Sequence, residues 1–249
     1  MIQDLHSHTY YSFCGGDDPR EVVEKATDGG IELFGICDHN YGIGFGRQDL
    51  FSTKADDLGS GYGRNLRKYF DHIDLIREKY ADKIKILRGI ELATVDYNRN
   101  RYALPEGVDI SFFDYCLIEH VDTDCSITGG DLFGYAKRFT CPVGVAHTDL
   151  FAHASRLGIP PEDYFGRMAE EGIFWEMNVN LDSTHKFREH EYVLRFFEDE
   201  EQQDIIRRSG VKLSIGFDGH KCAEYKPERV ADYCKKVEEM GISLAFDIK

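Results

Sequence analysis

The sequence has no apolar run long enough to cross a bilayer, and its start, MIQDLHSHTY, has no basic segment leading into an apolar stretch. These absences argue against a membrane span and a secretory signal, and lead to the expectation of an uncleaved N-terminus in the cytoplasm. Prolines number only 6, and there is no repeat, low-complexity tract or linker-like stretch. Basic residues are in deficit: 30 Lys and Arg against 45 Asp and Glu give a formal charge of −15. A nucleic-acid binder held by a broad basic surface is disfavoured, because phosphate backbones are gripped mainly by Lys and Arg. A phosphate substrate is not excluded, since bound divalent cations reverse the local field inside an acidic protein. There is no CxxC pair among the seven cysteines, Cys14, Cys37, Cys116, Cys125, Cys141, Cys222 and Cys234. Their odd number and scattered spacing argue against a disulfide framework and fit reduced thiols, most of them small core residues.

What is present is a chain of 249 residues, 42% hydrophobic and 30% charged, long enough for one large domain spanning 1–249 with a substantial core. Short apolar runs at Ile2–Leu5, Leu33–Cys37, Ile84–Ile90, Tyr115–Ile118, Val143–Ala146, Ile173–Met177 and Leu213–Gly216 read as strands buried on both faces. Amphipathic helices lie between most of them. Asp18-Pro19 starts one, with Asp as N-cap and Pro at the first helical position, and Gly29-Gly30 ends it. Further helices are predicted from about Arg64 to Tyr80, after Pro160-Pro161, around Tyr192–Phe197, around Val230–Met240, and in short form near Gly130–Phe139. Strand–helix alternation implies a parallel sheet, either a closed barrel or an open doubly wound sheet.

Two stretches, Asn40–Gly63 and Leu92–Phe112, interrupt the pattern and read as irregular loops covering a substrate. The first contains Tyr41, Phe45, Phe51 and Tyr62. Its Gly42-x-Gly44-x-Gly46 run is not taken as a dinucleotide fingerprint, because no helix is predicted to start there.

Polar chemistry gathers where the strands stop. Six of the ten histidines do so, in the segments Asp4-Leu5-His6-Ser7-His8, Cys37-Asp38-His39, Glu119-His120, Ala146-His147 and Asp218-Gly219-His220, while Gly89-Ile90-Glu91 adds a carboxylate. Functional groups at the C-terminal ends of several strands favour the barrel over the open sheet. His6 and His8 are two apart in extended chain, so both side chains point to one face, and the same holds for Asp218 and His220. Any one such histidine is more often a hydrogen-bonded structural residue. The whole set, brought to one rim, reads as a metal site suited to zinc, manganese or iron.

This ordered set (HSH, CDH, GIE, EH, AH and DGH, from His6 to His220) resembles the polymerase and histidinol phosphatase (PHP) family. The resemblance implies a single-domain, distorted (β/α)7 barrel of the TIM-like kind with a cluster of up to three divalent metals. It implies one site of His6, His8, Glu91 and Asp218, with Glu91 bridging to a second site completed by His120 and His147. A third site would use His39 and His220. Cys14 stands where family members often have a further His or Asp. It is either a thiolate ligand of that third site or an inert thiol that leaves the site weak, with Asp17 or Asp18 as less favoured substitutes. The segment His147-Thr148-Asp149, then Glu176-Met177-Asn178, resembles the order in histidinol phosphatases. Glu176 and Asn178 fit structural roles as well as substrate contact.

The chemistry so implied is hydrolysis of a small-molecule phosphate monoester, such as histidinol phosphate, by a metal-held hydroxide attacking in line. Asp38 is expected to orient a ligand or a water, and Asp149 to do the same or to act as general acid. Arg156 is a candidate phosphate clamp, ahead of Arg188 and Lys221. His72, His153, His185 and His190 have no motif, and His72 is expected to face solvent. Rival readings are a phosphodiesterase or exonuclease of the same family, an amidohydrolase-type barrel, and a barrel that binds metal without turnover. The second lacks the strand-end Lys it often uses; the third would leave buried carboxylates in need of partners.

Overall fold

The apolar runs become strands and the amphipathic segments become helices around them. The computed structural model describes residues 1–49, 58–97, 100–181 and 190–247. Its strands are β1 (Gln3–Asp4), β2 (Leu33–His39), β3 (Lys85–Leu92), β4 (Asp96–Tyr97), β5 (Asn100–Arg101), β6 (Tyr115–Ile118), β7 (Val143–Val145), β8 (Phe174–Asn178) and β9 (Leu213–Gly216). Its helices are α1 (Pro19–Asp28), α2 (Asn40–Asp49), α3 (Leu58–Lys79), α4 (Leu132–Ala136), α5 (Leu150–Arg156), α6 (Pro161–Glu170), α7 (Glu191–Glu198), α8 (Glu200–Ser209) and α9 (Pro227–Glu239).

Seven of these strands form one parallel sheet in the order β1-β2-β3-β6-β7-β8-β9. Backbone hydrogen bonds then join its two edges: Leu5 N–H to Ile215 O at 2.8 Å, Asp218 N–H to His6 O at 2.7 Å, and His8 N–H to Gly219 O at 2.8 Å. The result is the distorted seven-stranded (β/α) barrel expected from the sequence. Each strand's C-terminal end opens on the same rim, where such barrels carry their chemistry.

Two apolar layers hold the barrel. Leu5, Leu33, Cys37, Leu87, Tyr115, Leu117, Ala146 and Phe174 form a plug, and a larger cluster packs the sheet against the helices. Tyr115 in the plug accounts for two strand glycines. A Cβ at Gly35 would lie 2.1 Å from the Tyr115 hydroxyl oxygen, and one at Gly89 would lie 2.4 Å from its ring. The strands need these glycines because one aromatic ring fills the space their side chains would take.

The structure corrects several expectations. Asn40–Asp49 is a helix, α2, in a stretch read as irregular. Its glycines serve close packing: a Cβ at Gly42 would meet Tyr11 O at 2.7 Å, and one at Gly44 would meet the Tyr62 ring at 2.2 Å. A helix does therefore start beside the glycine run. Leu92–Phe112 carries a short antiparallel pair, β4 with β5. Helix α3 begins at Leu58, earlier than expected, and Phe51 lies outside the described residues. Helix α5 was not anticipated. Helices α7 and α8 meet at Asp199, whose side chain caps α8 through Glu201 N–H at 3.0 Å and Gln202 N–H at 3.1 Å. His72 is half-buried, with Nδ1 2.9 Å from the Tyr11 hydroxyl, and does not simply face solvent. Among the described residues no helix is long and apolar enough to cross a membrane.

Candidate metal centre

The barrel rim brings the strand-end residues into one cluster. Glu91, at the end of β3 and fully buried, is its hub. Its Oε2 lies 3.3 Å from His6 Nε2, 3.4 Å from His8 Nε2 and 2.8 Å from His39 Nδ1, while Oε1 lies 2.9 Å from His147 Nε2. Asp218 Oδ1 sits 3.0 Å from His8 Nε2, 3.7 Å from His6 Nε2 and 3.7 Å from His220 Nδ1. Among the described residues, four groups have ligand atoms close enough to share an ion: His6, His8 and Glu91; His6, His147 and Asp218; His8, Cys14 and His220; and His39, Glu91 and Glu119.

The backbone is bent to achieve this. Among the described residues, the non-glycine residues at positive φ are His120 (59°), His147 (26°) and Asp218 (54°), all candidate ligands. Left-handed backbone is uncommon for such residues and clusters at functional sites.

Cations fit the donor chemistry. His6 Nε2 and His8 Nε2 face each other at 3.1 Å, and the approach of His39 Nδ1 to Glu91 Oε2 leaves both atoms without a properly aligned hydrogen bond. Buried polar atoms without partners are costly, and imidazole nitrogens and carboxylate oxygens converging on common points are what a divalent ion uses.

Electrostatics bind the cluster together. Burial pushes the Glu91 carboxyl up, but His39, His6 and the bond to His147 outweigh it and hold it well below the usual range. Burial likewise opposes the Asp218 charge, yet His220, His6 and His8 keep its pKa well below normal. For His147, burial works downward but Glu91 dominates, raising it to about 10; Asp218 and Cys14 raise His220 to about 9 against the same opposition. Cys14 is solvent-accessible at the cluster edge. Partial burial pushes its thiol up, while His8, His220 and His39 bring it down to about 5. A thiol so placed is mostly thiolate at neutral pH, the form that ligates metal.

The other expected residues fall out differently. Asp38 is buried and accepts from Thr9 N–H at 2.7 Å and from the Ser12 hydroxyl at 2.7 Å; Ser12 Oγ in turn lies 3.0 Å from His8 Nδ1. It therefore acts on His8 through Ser12. Asp149 is committed elsewhere: one oxygen caps α5 through Ala152 N–H at 3.0 Å and the other accepts from Arg195. That occupies the carboxylate from which general-acid or orienting chemistry was expected. Arg156 is exposed at the end of α5 and its guanidinium turns to His153 Nδ1, at 2.9 Å, where a phosphate clamp was expected. Lys221 pairs with Glu224 at 3.4 Å, and Arg188 and His185 lie outside the described residues. His120 meets Glu119 at 3.0 Å, and Asn178 donates to Asp218 at 3.4 Å. Glu119 is a further ligand candidate, absent from the set expected from sequence. Its signal was an acidic residue beside a strand-end histidine, and its carboxylate lies 3.6 Å from His39 Nδ1.

An aromatic wall borders the cluster. Tyr41 stacks on His39 with centroids 4.8 Å apart, Phe13 stacks on Tyr41 at 5.8 Å, and Tyr102 meets Tyr41 edge-on at 4.8 Å.

Comparison with known proteins now adds a decisive observation: the family model of the PHP domain matches residues 4–220. The chain belongs to the PHP domain family. Among curated proteins, a histidinol-phosphatase of Lactococcus lactis is 26% identical over 135 residues, 54% of this PHP chain and 45% of that protein. The match thus spans less than half of the relative's length. Among solved structures, histidinol phosphate phosphatase from Lactococcus lactis, crystallised with zinc, L-histidinol and phosphate, superposes with a TM-score of 0.61. It is 18% identical, with 98% of this chain and 95% of that one covered, and supports the PHP barrel fold.

Proposed function

We propose that the chain hydrolyses phosphate monoesters of small molecules at a centre of up to three divalent cations, histidinol phosphate being the first candidate substrate. The observation that carries this reading is Glu91, at the end of β3, within 3.4 Å of imidazole nitrogens from His6, His8, His39 and His147, which come from three further strand ends. In this reading His6, His8, Glu91 and Asp218 hold one ion, and Glu91 shares a second with His120 and His147. Cys14, His39 and His220 hold a third. Imidazole and carboxylate donors suit zinc, manganese or iron, and a thiolate at the third position favours zinc or iron. The name of the curated relative supports the choice of first substrate.

When bound, such cations neutralise phosphoryl oxygens and lower the pKa of water from about 15.7 towards roughly 7. The chain's own residues do the rest. Glu91 and Asp218 offset part of the cationic charge, so the centre is not so positive that it retains phosphate. Asp38, through Ser12, fixes the ring of His8, and Asn178 steadies the Asp218 carboxylate. Tyr41, Phe13 and Tyr102 exclude water from one side of the mouth and present an apolar face to the organic part of the ester.

The test is phosphate release by metal-loaded protein from histidinol phosphate, other small phosphate esters, nucleotides and single-stranded DNA. Asp218→Ala and His147→Ala are each expected to lower the rate by about 100-fold or more, the scale of losing one strong electrostatic stabiliser. Both should also lose bound metal. Unchanged rates and metal content in the two variants would overturn the site assignment, and release from DNA alone would overturn the substrate class.

A further inference from the structure

Glu176 lies on β8, is fully shielded from solvent and is not among the candidate ligands. Its two oxygens nevertheless reach two of them. Oε1 sits 2.7 Å from His6 Nδ1, and Oε2 accepts the His147 backbone N–H at 2.7 Å. His147 follows β7, a neighbour of β8, but His6 follows β1, which lies beyond β9 in the barrel. The carboxylate must therefore pass over β9, and it does so at Gly216. A Cβ there would lie 2.0 Å from Glu176 Oε1 and 2.7 Å from His6 Cβ. The far edge of the His6 ring faces the cluster, with Nε2 3.1 Å from His8 Nε2 and 3.3 Å from Glu91 Oε2.

We propose that Glu176 is a positioning residue that couples two metal groups, setting the ring of His6 in one and the strained backbone of His147 in the other. This rests on the reading of His6 and His147 as metal ligands. A carboxylate at Oε1 demands a proton on His6 Nδ1, which leaves the Nε2 lone pair for a cation. At Oε2 it satisfies the amide of a residue held at φ 26°. Both partners are donors, so only a group that accepts at both atoms serves.

That requirement makes Glu176→Gln informative. A glutamine keeps the shape but accepts at only one atom. The His147 amide is always a donor and takes the glutamine oxygen. The NH2 group then faces His6 Nδ1, which must become an acceptor, and the proton moves to Nε2, where it blocks the metal.

The experiment is zinc titration of metal-stripped protein, together with NMR of the histidine ring protons. In the native chain, His6 Nδ1–H should give a low-field, exchange-protected resonance both stripped and zinc-loaded. Glu176→Gln should lose it and bind zinc roughly 10–100-fold more weakly, as loss of such a partner typically does. Gly216→Ala, which leaves Glu176 in place but intrudes on its path, should shift both readouts the same way and covers the case of a poorly folded glutamine variant. A native chain without that resonance, or a glutamine variant that keeps zinc affinity within about twofold, overturns the proposal. A native chain that shows the resonance yet binds neither zinc, manganese nor iron(II) leaves the hydrogen bond standing and overturns both the coupling and the phosphatase reading.

Discussion

At the scale of single residues, the centre is a set of mutual counter-ions. His147 and His220 are raised to about 10 and about 9, so both carry a proton at pH 8 in metal-free protein. A cation needs the neutral imidazole, so loading releases protons. Apparent metal affinity should therefore climb with pH up to about 9–10, and calorimetry in buffers of different ionisation enthalpy should register the released protons. Cys14 permits a separate check. Cobalt(II)-loaded protein should show a thiolate-to-metal charge-transfer band, and Cys14→Ser should lose both the band and about one metal per chain. A variant with full metal content would return Cys14 to the status of a bystander thiol.

At the scale of elements, the glycines within strands make a prediction about packing. Gly89→Ala forces a methyl group into the Tyr115 ring, and overpacking of this kind costs about 1–3 kcal/mol. A shifted urea midpoint with unchanged slope should report it; an unshifted midpoint would mean that the ring yields freely. The parallel strands were legible because strands buried on both faces read as continuous apolar runs, as in Tyr115-Cys116-Leu117-Ile118. The α1 start was legible because Asp18 and Pro19 suit the N-cap and first helical positions; in the structure Asp18 and Glu21 complete a capping box. Helix α2 was hidden because Gly42, Gly44 and Gly46 read as loop formers, although the first two are there for close contact with Tyr11 and Tyr62. Helix α5 was hidden behind chemistry: Asp149 beside a strand-end histidine reads as a reactive carboxylate, and the same residue is the helix N-cap. The cluster was legible from residue types at strand ends. What joins its members was not, because Glu176 reaches His6 across a strand, and no local pattern records a contact between residues 170 positions apart.

At the scale of the whole molecule, stability and metal content should be linked. Protein loaded at 100 times the dissociation constant gains about 2.7 kcal/mol over stripped protein. Stripped protein should also respond to pH through the raised histidines. Their folded values exceed the unfolded 6.5, so their contribution is full below that pH and is lost as pH rises through about 9 to 10. The melting temperature of chelated protein should decline across this window, while loaded protein, whose histidines have already given up their protons, should not follow. Parallel curves would argue against His147 and His220 as ligands.

The barrel's closing seam leads to one more expectation. His6 and His8 on one side, and Asp218 and Gly219 on the other, exchange the backbone bonds that join first strand to last. Three of these four residues, His6, His8 and Asp218, also belong to the candidate metal groups. On the proposed ligand assignment, ion and seam form one latch, fastening the beginning of the chain to a segment more than two hundred residues later. Withdrawing the ion should loosen the cylinder along this line first, with faster amide exchange at His8 and Asp218 while the opposite wall around β3 and β6 keeps its protection.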